Sequence, residues 1–172
     1  MFTLDIELRI LIPLFCAVLP CIARAEQHPS HYIFRKDIKG RHIEVTLTLK
    51  PFDPNHHHLE KQNGIAYIDG TVPVGTDNSF SAFTEFSEFD VRWDGRSVKI
   101  PKSCYADLFN ASLVPKKNAA FDTQGSVWVS VSDDGDAVLI EFEGSEAGGA
   151  YKVWLIIQRD GKCQRFVENT TP

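Results

Sequence analysis

The chain has 172 residues, 43% of them hydrophobic, and a formal net charge of −5 from 18 basic and 23 acidic side chains. This composition supports one domain with a real core and excludes an intrinsically disordered chain. The acidic balance excludes an ordinary nucleic-acid binder, which needs a basic surface to displace counterions.

The first 25 residues have the pattern of an export signal. The apolar run of residues 10–23 is shorter than a helix that spans a bilayer. It is followed by Arg24 and Ala25, which places small residues at the two positions that a signal peptidase reads. Asp5 and Glu7 make the front end atypical, so an uncleaved N-terminal anchor is the alternative. The pattern predicts cleavage after Ala25, no transmembrane segment thereafter, and a single domain over residues 26–172.

The predicted mature chain keeps two cysteines, Cys104 and Cys163. An exported chain with two cysteines most simply forms one disulfide, so we expect these two to be paired. Two separate buried thiols are the alternative, because a sequence does not show whether the geometry allows a bridge.

Alternating hydrophobicity predicts β-strands along the mature chain. Residues 42–50 place Ile43, Val45, Leu47 and Leu49 on one face. A short strand is predicted over residues 64–68, before an Asp-Gly turn. The clearest hairpin covers residues 89–100, where Asp94-Gly95 predicts a type I′ turn that pairs Trp93 with Arg96 and continues to Phe89 and Ile100.

Two further hairpins are predicted towards the C-terminus. The first pairs residues 126–132 with 137–143 across an Asp-Asp-Gly-Asp turn. The second runs through residues 151–159, turns at Asp160-Gly161 and returns through residues 162–167. Its first strand is apolar on both faces, with Trp154 and Ile156 on the second face, which predicts a central, covered strand.

The predicted fold is all-β: an antiparallel β-sandwich or a flattened barrel with one short helix. The helix is expected over residues 103–110, capped by Ser103. Two long loops, over residues 51–63 and 70–83, are candidate functional segments.

All six histidines fall between residues 28 and 58. Imidazole is the commonest protein ligand for zinc and copper, so a metal site is one interpretation, with His42, His56 and His58 as the candidate ligands. An incidental histidine-rich loop is the other interpretation, and it is the favoured one. We therefore expect no cofactor.

A glycine-rich segment follows the predicted strand 137–143. It is expected to be a connection where backbone passes close to backbone. A ligand-contacting loop is the alternative. The candidate residues for this loop are Gly144, Ser145, Glu146, Gly148 and Tyr151.

Aromatic and acidic residues offer weaker candidates. Phe80, Phe83, Phe86 and Phe89 are expected to fill the core, with an exposed platform for sugar or peptide as the alternative. Among the carboxylates, the candidates for a catalytic pair are Glu85, Asp107 and Asp122. No nucleophile or zinc-protease motif occurs in the sequence, so no catalytic residue is assigned.

Three segments resemble a group of small exported bacterial β-rich proteins of uncharacterised function. They are residues 75–77, residues 94–110 with the run Tyr105-Ala106-Asp107-Leu108-Phe109-Asn110, and residues 144–151. The resemblance covers about the last two thirds of the mature chain. It implies a periplasmic or secreted β protein of bacteria, and it implies no activity.

These observations lead us to expect an exported, non-catalytic β-sandwich that binds a protein or a glycan of the cell envelope. A small periplasmic hydrolase or metal-dependent enzyme is one alternative. A structural accessory protein of the envelope is the other.

Overall fold

The computed structural model describes residues 30–77, 79–80, 82–117, 126–145 and 149–170. The predicted export segment 1–25 and the candidates Asp122, Glu146 and Gly148 lie outside these residues. Across the described ranges, regular structure consists of ten β-strands and two short 3₁₀ turns. None of the described segments forms a helix with the length and apolar character needed to cross a bilayer.

The strands form two four-stranded antiparallel sheets and one separate hairpin. In chain order they are β1 (His31–Ile38), β2 (Arg41–Pro51), β3 (Leu59–Gln62), β4 (Ile65–Ile68), β5 (Thr84–Trp93), β6 (Arg96–Ser97), β7 (Val127–Val131), β8 (Ala137–Gly144), β9 (Tyr151–Gln158) and β10 (Cys163–Asn169). The first sheet has the order β1-β2-β5-β6, the second has the order β10-β9-β8-β7, and β3 pairs with β4.

The core lies between the two sheets, as the alternation of apolar residues predicts. Val45 on β2 and Val91 on β5 face Ile140 on β8 and Leu155 on β9, and all four are fully buried in one continuous cluster. Each such side chain contributes about 1.5–3 kcal/mol to folding. The sheets of the described residues stay open, so the sandwich expectation is confirmed and the flattened-barrel alternative is wrong.

The hairpin predictions are confirmed at their turns. Asp94 and Gly95 both have positive φ, 51° and 77°, which a type I′ turn requires. Trp93 pairs with Arg96 as expected, but the ladder ends at the next pair, Arg92 with Ser97. The N–H of Val98 still donates to the carbonyl of Val91 at 2.9 Å, but the predicted continuation to Phe89 and Ile100 is wrong because the chain then leaves the sheet. It passes so close to the β9–β10 turn that a Cβ on Gly161 would lie 2.8 Å from the carbonyl oxygen of Lys99.

The predicted helix over residues 103–110 is wrong, since only the 3₁₀ turn Lys102–Cys104 forms there. The backbone that would continue the helix is bonded elsewhere. Val74 donates its N–H to the carbonyl of Asp107 at 2.9 Å, and Phe109 donates to the carbonyl of Val74 at 3.0 Å. The segment therefore runs beside residue 74 as a short parallel bridge.

Antiparallel pairing gives the sandwich two distinct ends. The tight turns at residues 39–40, 94–95, 133–136 and 160–161 lie at one end, here called the turn end. Contacts across the two sheets support this placement: the indole N–H of Trp93 donates to the carbonyl of Gly135 at 2.9 Å. The connections that follow Pro51, Ile68 and Gly144 lie at the opposite end, here called the loop end.

Candidate functional site

The outward face of the second sheet carries a row of aromatic side chains, here called the aromatic row. Trp128 on β7 pairs with Glu141 on β8, Glu141 pairs with Trp154 on β9, and Trp154 pairs with Phe166 on β10. Directly paired residues point to the same face of a sheet. The row therefore crosses all four strands with its side chains on one surface.

Strict alternation in the sequence places these rings outside. On β9, the side chains of Tyr151, Val153, Leu155 and Ile157 are buried, so Trp154 and Ile156 between them point outwards. Trp154 is half-buried rather than covered, and Phe166 is 54% exposed. The expectation that β9 is central is confirmed by the strand order. Its expected cover on the second face is only partial, because Trp154 and Ile156 keep part of their surface accessible.

The spacing of the row follows from the sheet. Neighbouring strands lie about 4.8 Å apart, so Trp128 and Trp154, two strands apart, are separated by about 10 Å. That distance is comparable to the length of a disaccharide. Aromatic side chains offer a flat apolar surface for the carbon–hydrogen face of a sugar ring.

Two lysines and two glutamates form a network of ion pairs at the centre of the aromatic row. Lys116 reaches across β7 and places its Nζ 2.8 Å from Oε1 of Glu141 and 3.0 Å from Oε1 of Glu143. Lys152 on β9 places its Nζ 2.9 Å from the same oxygen of Glu141. The side chain of Lys116 is 5% exposed and that of Glu141 is 12% exposed, so these charges are largely withdrawn from water.

This network also orients Trp154. The indole N–H of Trp154 donates to Oε2 of Glu141 at 3.2 Å, and the Lys152 ammonium lies 5.1 Å from the centre of the ring. One carboxylate therefore holds both lysines and the indole. A ring that is already held in place loses little conformational freedom when a ligand stacks on it.

The network shifts the pKa values of Glu141 and Lys116 towards the charged forms. Burial raises the pKa of Glu141, but hydrogen bonds from Lys116 and Lys152 outweigh burial and leave the pKa below its ordinary value. Burial lowers the pKa of Lys116, but its bonds to Glu141 and Glu143 outweigh that effect and leave the pKa raised. Glu141 and Lys116 are therefore both charged at neutral pH.

A prediction for pH dependence follows from the lowered pKa of Glu141. Its contribution to stability is present above the ordinary carboxyl pKa and is lost as the pH falls through the lowered folded-state value. We expect Glu141→Gln to cost about 2 kcal/mol of unfolding free energy at pH 7, because a buried charge-assisted pair is removed. The cost should shrink in acid. Urea unfolding at several pH values measures it, with Glu60→Gln as the exposed control; a cost independent of pH would contradict the assignment.

The outward face of the first sheet has a different character. Its paired side chains are charged: Arg35 bonds to Glu44 at 2.6 Å, and Arg92 bonds to Asp90 at 2.6 Å. Exposed ion pairs of this kind are ordinary for a solvated sheet face. The aromatic row is therefore a property of one sheet and not of both outward surfaces.

The three candidate metal ligands from the sequence do not come together. His42 lies on β2 and contacts Asp37, His56 contacts Asp53, and His58 points towards Glu60 at 4.0 Å. Within the part of the chain that the structure describes, no three His, Cys, Asp or Glu side chains are grouped so that they could hold a metal ion.

His57 was not among the candidate ligands, although its side chain is only 13% exposed and both of its ring nitrogens face carboxylates. Its Nδ1 lies 2.7 Å from Oδ2 of Asp69 and its Nε2 lies 2.9 Å from Oε2 of Glu85, with the ring stacked on Phe52. The His58 N–H and then the His57 ring lower the pKa of Asp69 by hydrogen bonding. This cluster fastens the β3–β4 hairpin to β5. The prediction of a long loop over residues 51–63 is wrong, because this segment contains β3.

The glycine-rich candidate loop begins where three backbone segments meet. A Cβ on Gly144 would lie 2.4 Å from the ring of Tyr151, and a Cβ on Gly149 would lie 3.0 Å from the backbone of Gly75. The expected close approach of backbones is confirmed. Ser145 donates its N–H to the carbonyl of Asn110 at 2.7 Å. The three segments on which the resemblance depends are thus adjacent in space, and the contacts described for Gly144, Ser145 and Tyr151 join these segments to one another.

The remaining candidates divide between core and surface. Phe86 and Phe89 pack with Tyr105 in the core, whereas Phe80 and Phe83 are exposed. Asp107 is bound by both terminal nitrogens of Arg165. The sulfurs of Cys104 and Cys163 lie at bonding distance, and their Cα atoms are 6.5 Å apart.

Comparison with protein-family models, with curated proteins and with solved structures finds no significant match to this chain.

The aromatic row could not be predicted from the individual strands. Trp128 and Phe166 were not singled out in the sequence. Their partnership with Trp154 becomes visible only when the registers of the β7–β8, β8–β9 and β9–β10 pairs are combined.

Proposed function

We propose that this protein is an exported, non-catalytic binding protein whose aromatic row binds a neutral glycan of the cell envelope. The observation that carries the proposal is the placement of Trp128, Trp154 and Phe166 in one line on an outward sheet face. Export is supported by the sequence pattern of residues 1–25 and by the adjacent pair Cys104 and Cys163.

The first support for the proposal is that sugar rings can stack on the aromatic row. A sugar ring has carbon–hydrogen faces that pack on aromatic rings and hydroxyl edges that need hydrogen-bond partners. The aromatic row offers rings at both ends of an interval about 10 Å long, because β7 and β9 are two strands apart. It thus suits a chain of sugars laid across the strands better than a single small molecule in a closed pocket.

The second support is the balance of charges in the lysine–glutamate network, which favours a neutral ligand. Lys116 and Lys152 are matched by Glu141 and Glu143, and all four lie within 4 Å of an opposite charge. A matched set of charges neither attracts nor repels an ion strongly, but its oxygens and nitrogens still exchange hydrogen bonds with hydroxyl groups. The face as a whole stays close to neutral, since Glu168, which pairs with Lys152 on β9, adds one negative charge to the matched set.

The proposal is tested by native affinity electrophoresis of the purified protein in gels that contain a soluble neutral polysaccharide. The panel is a β-1,3-glucan, a cellulose derivative, a xylan and an arabinan. We expect at least one of them to retard the protein. Trp154→Ala should weaken that binding about thirtyfold, the size of an interface hot spot of about 2 kcal/mol.

Two controls separate binding from folding. Trp154→Phe keeps a ring and should retain most of the binding. Phe83→Ala removes an aromatic side chain that is 76% exposed at the loop end, and it should leave binding unchanged. Absence of retardation in all four gels and on a broad glycan array would overturn the proposal, as would equal losses for Trp154→Ala and Phe83→Ala.

A further inference from the structure

The turn end of the sandwich holds a cleft that the glycan surface does not use. It has a volume of about 570 Å³. Its lining residues are Trp93, Asp94, Arg96, Ser97, Val98, Arg159 and Asp160. The β5–β6 turn of the first sheet forms one wall and the β9–β10 turn of the second sheet forms the other, so both sheets fix its shape.

The two carboxylates of the cleft are engaged by the turns themselves. Asp94 accepts the backbone N–H of His42 at 2.9 Å. Asp160 accepts the backbone N–H of Lys162 at 3.1 Å and its ammonium at 2.6 Å. Asp residues commonly bond to nearby backbone groups in this way, so their presence is explained by turn structure.

The two guanidinium groups are not engaged in this way. Among the described residues, Arg96 has no acidic partner within ion-pair distance, and its side chain is exposed. Arg159 forms an ion pair with Asp136 at 3.8 Å, which is longer than a hydrogen bond, and Asp136 is shared with Arg41. The two guanidinium groups together carry ten N–H donors, whereas the two carboxylates of the cleft already accept hydrogen bonds from the turns.

We propose that this cleft is a binding site for a small organic anion that carries a phosphate or a carboxylate group. Guanidinium matches both groups through paired N–H bonds, which a lysine does not reproduce. The chain as a whole is acidic, but in the cleft the two arginines balance the charges of Asp94 and Asp160, so an anion meets no net negative charge there. This site is independent of the aromatic row, which lies on the outward face of the second sheet.

The experiment is a nuclear magnetic resonance titration of the ¹⁵N-labelled protein with three probes: inorganic phosphate, citrate and glucose. Trp93 lies at the floor of the cleft and is 3% exposed, so its indole signal reports on the site without itself contacting bulk solvent. We expect a saturable shift of the Trp93 indole and of the Arg96 and Arg159 side-chain signals with phosphate, citrate or both. Glucose should cause none.

Variants decide whether the arginines hold the anion. Arg96→Ala and Arg159→Ala should each weaken binding about tenfold or more, as loss of a charge-assisted hydrogen bond predicts. Arg96→Lys should fall between wild type and Arg96→Ala. Arg35→Ala removes an exposed arginine from the first sheet and should change nothing.

The outcomes separate the sources of the anion. Saturation by phosphate alone assigns a phosphate-bearing ligand, and saturation by citrate alone assigns a carboxylate. A response that does not saturate, or that is equal in the Arg96→Ala, Arg159→Ala and Arg35→Ala variants, overturns the proposal. Neither result bears on the aromatic row, whose own tests use neutral polysaccharides.

Discussion

Replacement of Cys104 and Cys163 together by serine is expected to lower the free energy of unfolding by about 4 kcal/mol, as chain entropy predicts for the loop they close. The two residues are 59 positions apart in the chain, and their Cα atoms are 6.5 Å apart, within the range that disulfides adopt. The bridge would join the segment after β6 to the start of β10, and thereby link the edges of the two sheets.

Urea unfolding with and without a reductant measures this effect. The reductant should destabilise the wild-type protein and leave Cys104→Ser/Cys163→Ser unchanged. Thiol labelling of the denatured, unreduced protein should find neither cysteine free. Two labelled thiols, or equal stability of wild type and variant without reductant, would refute the bridge.

Gly75→Ala is expected to cost about 3 kcal/mol, because a strained backbone and an overpacked site each contribute about 1–3 kcal/mol. Gly75 has a φ of +91°, which side-chain-bearing residues rarely adopt. Its Cβ would lie 2.5 Å from the carbonyl oxygen of Phe109 and 2.8 Å from the ring of Tyr151. The Tyr151 hydroxyl donates to the same carbonyl at 2.9 Å, so neither neighbour is free to move.

Gly40→Ala is the matched control for this variant. Gly40 also has positive φ, +76°, but a Cβ there would meet nothing within 4 Å. It should therefore show only the backbone cost of about 1 kcal/mol. Urea denaturation of both variants gives the comparison. Equal losses of unfolding free energy in the two variants would show that the close contacts at Gly75 do not contribute to the cost.

The elements that sequence reasoning predicted well are those fixed by local chemistry. The turn at Asp94-Gly95 and the strands β7, β8 and β9 follow from turn residues and alternation, which act over a few positions. β1 was not predicted, since its residues 31–38 mix charged and apolar side chains as an edge strand does. The helix over 103–110 was wrong because contacts with residue 74, distant in sequence, decide where its backbone groups bond.

The candidate sites were also harder to predict where they depend on contacts between segments that are distant in the sequence. Histidines that are neighbours in sequence point to different partners, and only His57 is held on both sides, by Asp69 and Glu85 from other segments. The aromatic row was missed for a related reason. Alternation on β9 shows that Trp154 and Val153 face opposite ways, but it does not show which strands lie alongside or whether anything covers the second face.

The central claim is that the aromatic row is the glycan surface, and one spectrum tests it most directly. The chain has three tryptophans, so its ¹H–¹⁵N spectrum contains three indole signals. The protein is titrated with the neutral polysaccharide that retards it in gels, or with an oligosaccharide of that polysaccharide. We expect the Trp128 and Trp154 signals to shift. The Trp93 signal should stay in place, because this indole is buried and bonded to Gly135. Saturating glycan that moves only the Trp93 signal, or none of the three, would contradict the account.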